Sequence, residues 1–390
     1  MEIIFVTAHG SYQINSLSRE QSLSEICWFN KIPVQNVTFY GLMDGETSVY
    51  VGKDEPIKKF ENLYQKIIIR PDRNIDYKGI CQKDIKYRPS INPVAEYSFP
   101  SENSQENLHF EFSEKQCKEY VLNNVSSFFE TDVTIDPLSK IVIGISGGGD
   151  SNTLIEAFLN TGKIKNDQIT AVMMLGIPDW DKGRSRAEAI CEKHGIELKF
   201  VNSQAVNGLL GRNGEGDWLE DFEKMFPDAD LEVLGTLAVR LSLISVAKSV
   251  GAQSIVTGLN LEDVLSECLL TTMQGKLPLP FPVRMIDGIS LWYPLYNIPK
   301  KILDGCYPKY SLANYEDRYP SKMLGRANVY YLAQMLNSLI PGSEFDLLKG
   351  YKELAKKNKD EGYYDEKLGF TVLQEIPQEL KNRWIMFTQM

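Results

Sequence analysis

The middle of this sequence predicts a doubly wound α/β fold, a parallel sheet with helices on both faces, and three observations point to it. Apolar runs of strand length at Lys140–Ile145, Gln168–Gly176, Glu197–Asn202 and Ser254–Gly258 alternate with helix-like segments at Ser151–Asn160, Arg184–His194 and Leu234–Val250. The first of these strands runs straight into the glycines Gly147, Gly148 and Gly149, and a helical pattern follows. The chain is 390 residues long, and at roughly 100–200 residues per domain that leaves room for further units on either side.

Residues 1–80 read as a small α+β domain. A strand at Glu2–Ala8 is followed by a hairpin-like polar stretch, an apolar helix around Ser22–Asn30 and a strand at Val37–Leu42 that ends in the turn Met43-Asp44-Gly45. This order resembles the ubiquitin-like β-grasp carriers. No diglycine follows Ile67–Arg70, so the fold is expected without the sulfur-carrier function. Residues 81–112 turn polar from Gln82 to Phe112, with Pro89, Pro93 and Pro100, and read as an extended linker. The α/β domain spans 113–300 and opens on a helix at Ser113–Glu130, where Ser113 and Gln116 are spaced for a capping box. In residues 301–390 strand signals fade and amphipathic helices dominate, at Ala327–Leu339 and Phe345–Lys357.

The charge balance is 42 basic against 52 acidic side chains, a net of −10. That disfavours a protein held to nucleic acid mainly through phosphate attraction. The start, MEIIFVTAHG, has no basic n-region and only a short apolar run. The expectation is therefore a cytoplasmic protein with neither signal peptide nor membrane-spanning segment. Cys27, Cys81, Cys117, Cys191, Cys268 and Cys306 lie far apart and form no CxxC, which argues against a zinc ribbon or a disulfide-stapled module.

Chemistry concentrates in Ile141-Val142-Ile143-Gly144-Ile145-Ser146-Gly147-Gly148-Gly149-Asp150-Ser151-Asn152-Thr153-Leu154. Glycines let the backbone turn tightly and approach a ligand, and the first turn of a helix offers unpaired N–H groups and a dipole that favours an anion. Ser146 and Ser151 add hydroxyl donors. Asp150 stands at the lip of this phosphate cradle, where a carboxylate fits if Mg²⁺ bridges it to the phosphates. A kinase-type P-loop is excluded, because Gly275-Lys276 is followed by Leu277 and no GxxxxGK[ST] occurs.

Ser146-Gly147-Gly148-Gly149-Asp150-Ser151 after a buried strand resembles the signature of the N-type ATP pyrophosphatases, also called the PP-loop or adenine nucleotide α-hydrolase-like superfamily. Thr257-Gly258-Leu259-Asn260-Leu261-Glu262-Asp263-Val264, with Glu267 and Gly275, resembles a segment of the tRNA lysidine synthetase and 2-thiocytidine synthetase branch and of the LarE-like branch. Asn260 stands where the first of these has His. Tyr293-Pro294-Leu295 followed by Lys300 or Lys301 resembles the RPL…K of both. The resemblance covers roughly Ser113–Lys301. It implies ATP and Mg²⁺ as cofactors, with Ser146, Gly147, Gly148, Gly149 and Ser151 on phosphate, Asp150 on the metal, Gly258 beside the nucleotide, and backbone groups of Met173–Gly176, Met174 among them, on the adenine.

Asp263 and Glu267 stand four apart on one helix face, suited to hold a metal or order the nucleotide. The alternative is that Asn260 caps this helix and Glu262 and Asp263 are ordinary first-turn acids. Arg240, Arg318 and Arg326 are candidate anion clamps or surface ion pairs. Cys268 and Cys306 are candidate persulfide carriers or small buried residues. His9, His109 and His194 stand isolated, and the acidic run Glu215–Glu232 reads as a solvated face.

These readings converge on an enzyme that adenylates a carbonyl or carboxylate oxygen, converting ATP to AMP and pyrophosphate, before a nitrogen or sulfur nucleophile attacks. By resemblance the acceptor is a tRNA base, with a small molecule or a peptide as the alternative. The rival class is a non-catalytic ATP-sensing protein that recruits a protein partner through its N-terminal domain.

Overall fold

The computed structural model describes all residues except 8–9, 17, 31, 33, 35–36, 44–47, 72–83, 102–105, 137, 214–215, 228, 230, 312–323, 359–361 and 374. The chain forms two compact units. One comprises Met1–Tyr87, Ser98–His109 and Asn337–Pro341, and the other Arg88–Tyr97, Phe110–Leu336 and Gly342–Met390.

In the first unit, β1 (Glu2–Thr7), β2 (Gly10–Gln13), helix α1 (Leu23–Phe29), β3 (Val37–Leu42), β4 (Ser48–Tyr50) and β5 (Lys66–Pro71) follow in order. The sheet order is β2-β1-β5-β3-β4, with β1 and β5 parallel and the other pairs antiparallel. This is the β-grasp arrangement, one helix held by a mixed five-stranded sheet. Ser22 and Glu25 close a capping box at the start of α1, and Leu23, Ile26 and Cys27 pack with Ile3, Phe5, Phe39, Ile67 and Ile69 of the sheet. The turn expected at Met43-Asp44-Gly45 falls largely outside the described residues.

The expected linker is not bare. Three strands occupy it, β6 (Asp84–Arg88), β7 (Ala95–Pro100) and β8 (Glu106–Phe112). The prolines fall at strand ends and in connections, where no ladder hydrogen bond is lost, and Tyr97 and Phe112 are buried.

The second unit opens on α2 (Glu114–Thr131), whose capping box joins Ser113 and Gln116 as their spacing predicts. Then come β9 (Ile141–Gly144), α3 (Gly149–Asn160), β10 (Ile169–Met174), α4 (Pro178–Asp181), α5 (Arg184–His194), β11 (Glu197–Val201), α6 (Ser203–Leu209), α7 (Trp218–Met225), α8 (Leu231–Val250), β12 (Ser254–Val256), α9 (Leu261–Met273), β13 (Val283–Ile286), β14 (Ile289–Trp292) and α10 (Lys300–Cys306). The sheet order is β11-β10-β9-β12-β14-β13, parallel throughout except for the edge strand β13.

Both faces are covered, which is why the strands are apolar on both sides rather than alternating. On one face Phe128 and Phe129 of α2, Phe158 of α3 and Trp292 interlock, with the Phe129 and Phe158 ring centroids 4.9 Å apart. On the other, α8 lies so close to β9 that a Cβ on Gly144 would sit 3.1 Å from Leu243. The segment Val233–Val250 of α8 is long and apolar enough to cross a membrane, contrary to the expectation that no stretch would be. Leu234, Ala238, Leu241, Leu243, Ile244 and Ala247 are buried in the protein core, and covering a parallel sheet accounts for that apolarity.

Three longer helices close the chain, Leu324–Leu339, Ser343–Ala355 and Gln378–Thr388. The hairpin Tyr363–Asp365/Phe370–Val372, which the expected all-helical region did not include, lies between the last two. Its three-residue strands are too short to show a period.

Candidate active site

In this sheet the chain leaves β9 for β10 and β11 on one side and later returns to pair β12 on the other. Between β9 and β12 the winding reverses, and the loops leaving their carboxyl ends diverge to open a crevice. The glycine loop after β9 and the Thr257–Asn260 loop after β12 form its walls. A Cβ on Gly258 would lie 4.0 Å from the Asp150 Cβ, so the two loops meet there.

The cradle is built from close backbone contacts. Gly147 has φ +72, and a Cβ on it would lie 2.1 Å from the Gly183 carbonyl oxygen. In return, a Cβ on Gly183 would lie 2.0 Å from the Ser146 carbonyl oxygen. Arg186 donates from Nε to the Gly147 carbonyl at 3.0 Å. The Ser146 N–H donates to Ser151 Oγ at 3.0 Å, and the two hydroxyls are 3.3 Å apart. Gly148 caps α3 without a side chain. The N–H groups of Gly147, Gly148, Gly149 and Asp150 have no acceptor among the described residues, so the start of α3 is open to an anion.

Three buried side-chain oxygens on the segments around the cradle, Asn152 Oδ1 in α3, Thr257 Oγ1 after β12 and Ser311 Oγ, have no partner among the described residues. Such atoms mark a place where a ligand or water belongs. Ser311 Oγ would lie 2.4 Å from a Cβ on Gly149, so a side chain there would displace the Ser311 hydroxyl. No motif singles out Ser311.

Asp150 receives the Lys300 ammonium on both oxygens, at 2.7 and 2.8 Å, and Lys300 also reaches Asp304 at 3.0 Å. Of the two lysines the sequence offered, Lys300 is buried in the site and Lys301 is exposed. The Lys300 backbone N–H donates to Glu262 Oε2 at 2.9 Å. Glu262, by sequence an ordinary first-turn acid, is buried, and its burial pushes the carboxyl up to about 7 against the pull of that N–H.

Asp263 and Glu267, expected to act as a metal or nucleotide pair, have separate protein partners. Asp263 and Asn260 close a reciprocal capping box, each accepting the other's N–H at 3.1 Å, as the alternative reading held. Glu267 turns to Arg284 at 2.6 Å, and Arg284 lies over the Tyr293 ring. Met174 ends β10 with its side chain buried. The Val172 carbonyl accepts from Ile145 N, so the main chain of Met174, two residues on, faces the same side, where β9 has already turned into the cradle. Gly176 N donates to the Asp181 carboxylate at 3.1 Å.

The remaining candidates that are described have other partners. Arg240 donates to the Thr371 carbonyl at 3.0 Å. Arg318, His9 and Cys81 lie outside the described residues, as does the side chain of Arg326. His109 is 2.9 Å from Ser98 Oγ, and burial lowers the pKa of His194. Within the acidic run Asp217 caps α7 and Asp221 pairs with the buried Arg212 at 2.6 Å, so part of it is structural rather than a solvated face. Cys268 and Cys306 are buried, and burial pushes the Cys268 thiol up to about 12 and the Cys306 thiol higher still. A Cβ on Gly305 would lie 2.6 Å from Cys117 Sγ, so Cys306 belongs to the packing of α10 on α2. Among the described residues no group of three or more His, Cys, Asp and Glu side chains is placed to hold a metal ion.

Residues 121–211 match the family model described as NAD synthase. Among solved structures the chain is similar to the U34-tRNA thiolase NcsA from Methanococcus maripaludis with its [4Fe-4S] cluster, at 20% identity and a TM-score of 0.53, covering 64% of this chain and 83% of that one. It is also similar to an NH3-dependent NAD synthetase from Campylobacter jejuni, at 18% identity and a TM-score of 0.34, covering 65% and 98%. No curated protein matches the chain. Residues 121–211 are thus similar in sequence pattern to the NAD synthase family, and the α/β unit shares its fold with the NcsA structure.

Proposed function

We propose that this chain is an ATP-dependent adenylating enzyme. An oxygen of the acceptor's carbonyl or carboxylate attacks the α-phosphorus of ATP, and the bond to the β-phosphate oxygen breaks. Pyrophosphate leaves with that electron pair. A nucleophile then adds to the acceptor carbon and AMP departs with the oxygen. The observation that carries this reading is the arrangement at the start of α3: open N–H groups from Gly147 to Asp150, with the Lys300 ammonium held at their edge by Asp150.

Charge develops on the departing pyrophosphate, and fixed dipoles and a fixed cation aimed at it stabilise the transition state without reorganising. The cradle amides supply the dipoles, Ser146 and Ser151 the hydroxyl donors, and Lys300 the positive charge. Lys300 is placed by two contacts, its backbone N–H on Glu262 and its ammonium on Asp150 and Asp304. Mg²⁺ takes oxygen donors and leaves most of its shell to phosphates and water. Asp150, with Asp304 on the same ammonium, is a donor set of that kind and would hold the ion. When bound it would neutralise phosphate charge and orient the triphosphate. Adenine is assigned to the main chain of Met174, and Gly258 leaves space beside Asp150.

The NcsA neighbour is a tRNA thiolase and the matching family model is that of NAD synthase, so the acceptor is a tRNA base or a small molecule. A nitrogen nucleophile is favoured over a protein-borne sulfur, because Cys268 and Cys306 are buried with their thiols held protonated. Incubating the chain with ATP and Mg²⁺, alone and with ammonia or sulfide and candidate acceptors, tests the reading. AMP and pyrophosphate in equal amounts support it, and ADP with phosphate overturns it.

A further inference from the structure

We propose that Arg186 is a positioning residue for the cradle, setting which way the Gly147–Gly148 peptide faces. The inference rests on the reading of the cradle as a phosphate site. In a trans peptide the carbonyl oxygen and the following N–H point to opposite sides. Arg186 Nε holds the Gly147 carbonyl at 3.0 Å, so the Gly148 N–H is turned away from α5, toward the open start of α3. A glycine at φ +72 does not fix this orientation alone, since its peptide planes rotate at little cost. The neighbouring Gly183 carbonyl accepts from Ala187 N at 3.0 Å, within α5's first turn, and Arg186 Nε is the donor on the Gly147 carbonyl. A Gly147–Gly148 peptide turned the other way would present its carbonyl oxygen to the phosphates and repel them.

The chemistry separates this role from a direct charge contact with phosphate. In glutamine, Nε2 is attached to Cδ, the atom that bears Nε in arginine, so Arg186→Gln keeps a donor at the same place and loses the charge. Lysine keeps the charge and puts a methylene there. Arg186→Gln is therefore expected to keep the affinity for inorganic pyrophosphate within about threefold, and Arg186→Lys and Arg186→Met to lose about tenfold, the scale of one hydrogen bond.

The experiment is titration of the full chain and these variants with inorganic pyrophosphate in the presence of Mg²⁺, followed by calorimetry, with thermal midpoints measured in parallel. Retention by Lys with loss by Gln would overturn the inference and make Arg186 a phosphate ligand. Equal affinity in all variants, whatever their midpoints, would overturn it too and leave Arg186 a structural tie. If Arg186→Met does not fold, the comparison of Gln with Lys still decides. Absence of pyrophosphate binding by the unaltered chain would instead overturn the reading of the cradle itself.

Discussion

The ammonium of Lys300 sits 2.7 and 2.8 Å from the two carboxylate oxygens of Asp150, a residue 150 positions earlier in the chain. This pair joins the glycine loop after β9 to the helix α10 that follows β14, and it sets one positive charge where the proposed pyrophosphate leaves.

Removing either partner is expected to lower pyrophosphate formation from ATP by about 100-fold or more, the scale of losing one preorganised electrostatic contact. Asp150→Asn is expected to cost under about 1 kcal/mol of stability, because Asp150 is partly exposed and Lys300 keeps Asp304. Lys300→Met leaves two carboxylates facing each other and is expected to lower the thermal midpoint more. Coupled pyrophosphate release and calorimetry check both, and normal turnover by Asp150→Asn would remove Asp150 from the metal.

The nucleotide product is expected to be AMP. No lysine of the P-loop kind stands in the glycine loop to serve γ-phosphoryl transfer. Anion-exchange chromatography of the products reads this directly.

Stability should depend on pH through Glu262. Its carboxyl is raised from 4.5 to about 7 in the folded protein, so the fold binds a proton that the unfolded chain has released. The contribution is fully present below about pH 4.5 and is lost as pH rises through 7, about 3 kcal/mol in all. Glu262→Gln should lack this loss, seen as a smaller fall in denaturant midpoint between pH 4.5 and 7 for the nucleotide-free protein.

Cys268→Ser and Cys306→Ser should each keep most of their turnover while costing about 1–2 kcal/mol for a buried hydroxyl. Loss of the second half-reaction alone, with pyrophosphate exchange intact, would instead assign sulfur transfer to that cysteine.

Gly149→Ala should weaken nucleotide binding by driving a methyl into Ser311 Oγ, which lies 2.4 Å from the new Cβ position. Adding Ser311→Gly should restore much of it, and a double-mutant cycle on ATP affinity measures the coupling.

Much of this architecture can be read from short-range pattern. Strand, glycine turn and helix from Ile141 to Leu154 announce themselves because apolar run, turn residues and helical period lie side by side. Ser113 with Gln116, and Asn260 with Asp263, are local hydrogen-bond pairs that spacing alone reveals. What could not be read depends on burial by distant chain. Glu262 and Asp263 are neighbouring acids, and only the packing that buries the first and leaves the second as a cap tells them apart. Lys300 and Lys301 differ only in which one α10 turns inward. Ser311 has no motif, and strands β6 to β8 hide among prolines and polar residues.

The place of β9 in its sheet also governs when a growing chain becomes competent. Its partner β10 follows within one helix, whereas β12, Gly258 and Lys300 are made only after the whole first half of the winding is complete. Contacts so distant along the chain form late, since a long loop must close before they repay its entropy. A nascent chain that ends after β11 carries every glycine of the loop and neither Gly258 nor Lys300. The proposed site is therefore complete only once α10 has been made and the two halves of the sheet have joined.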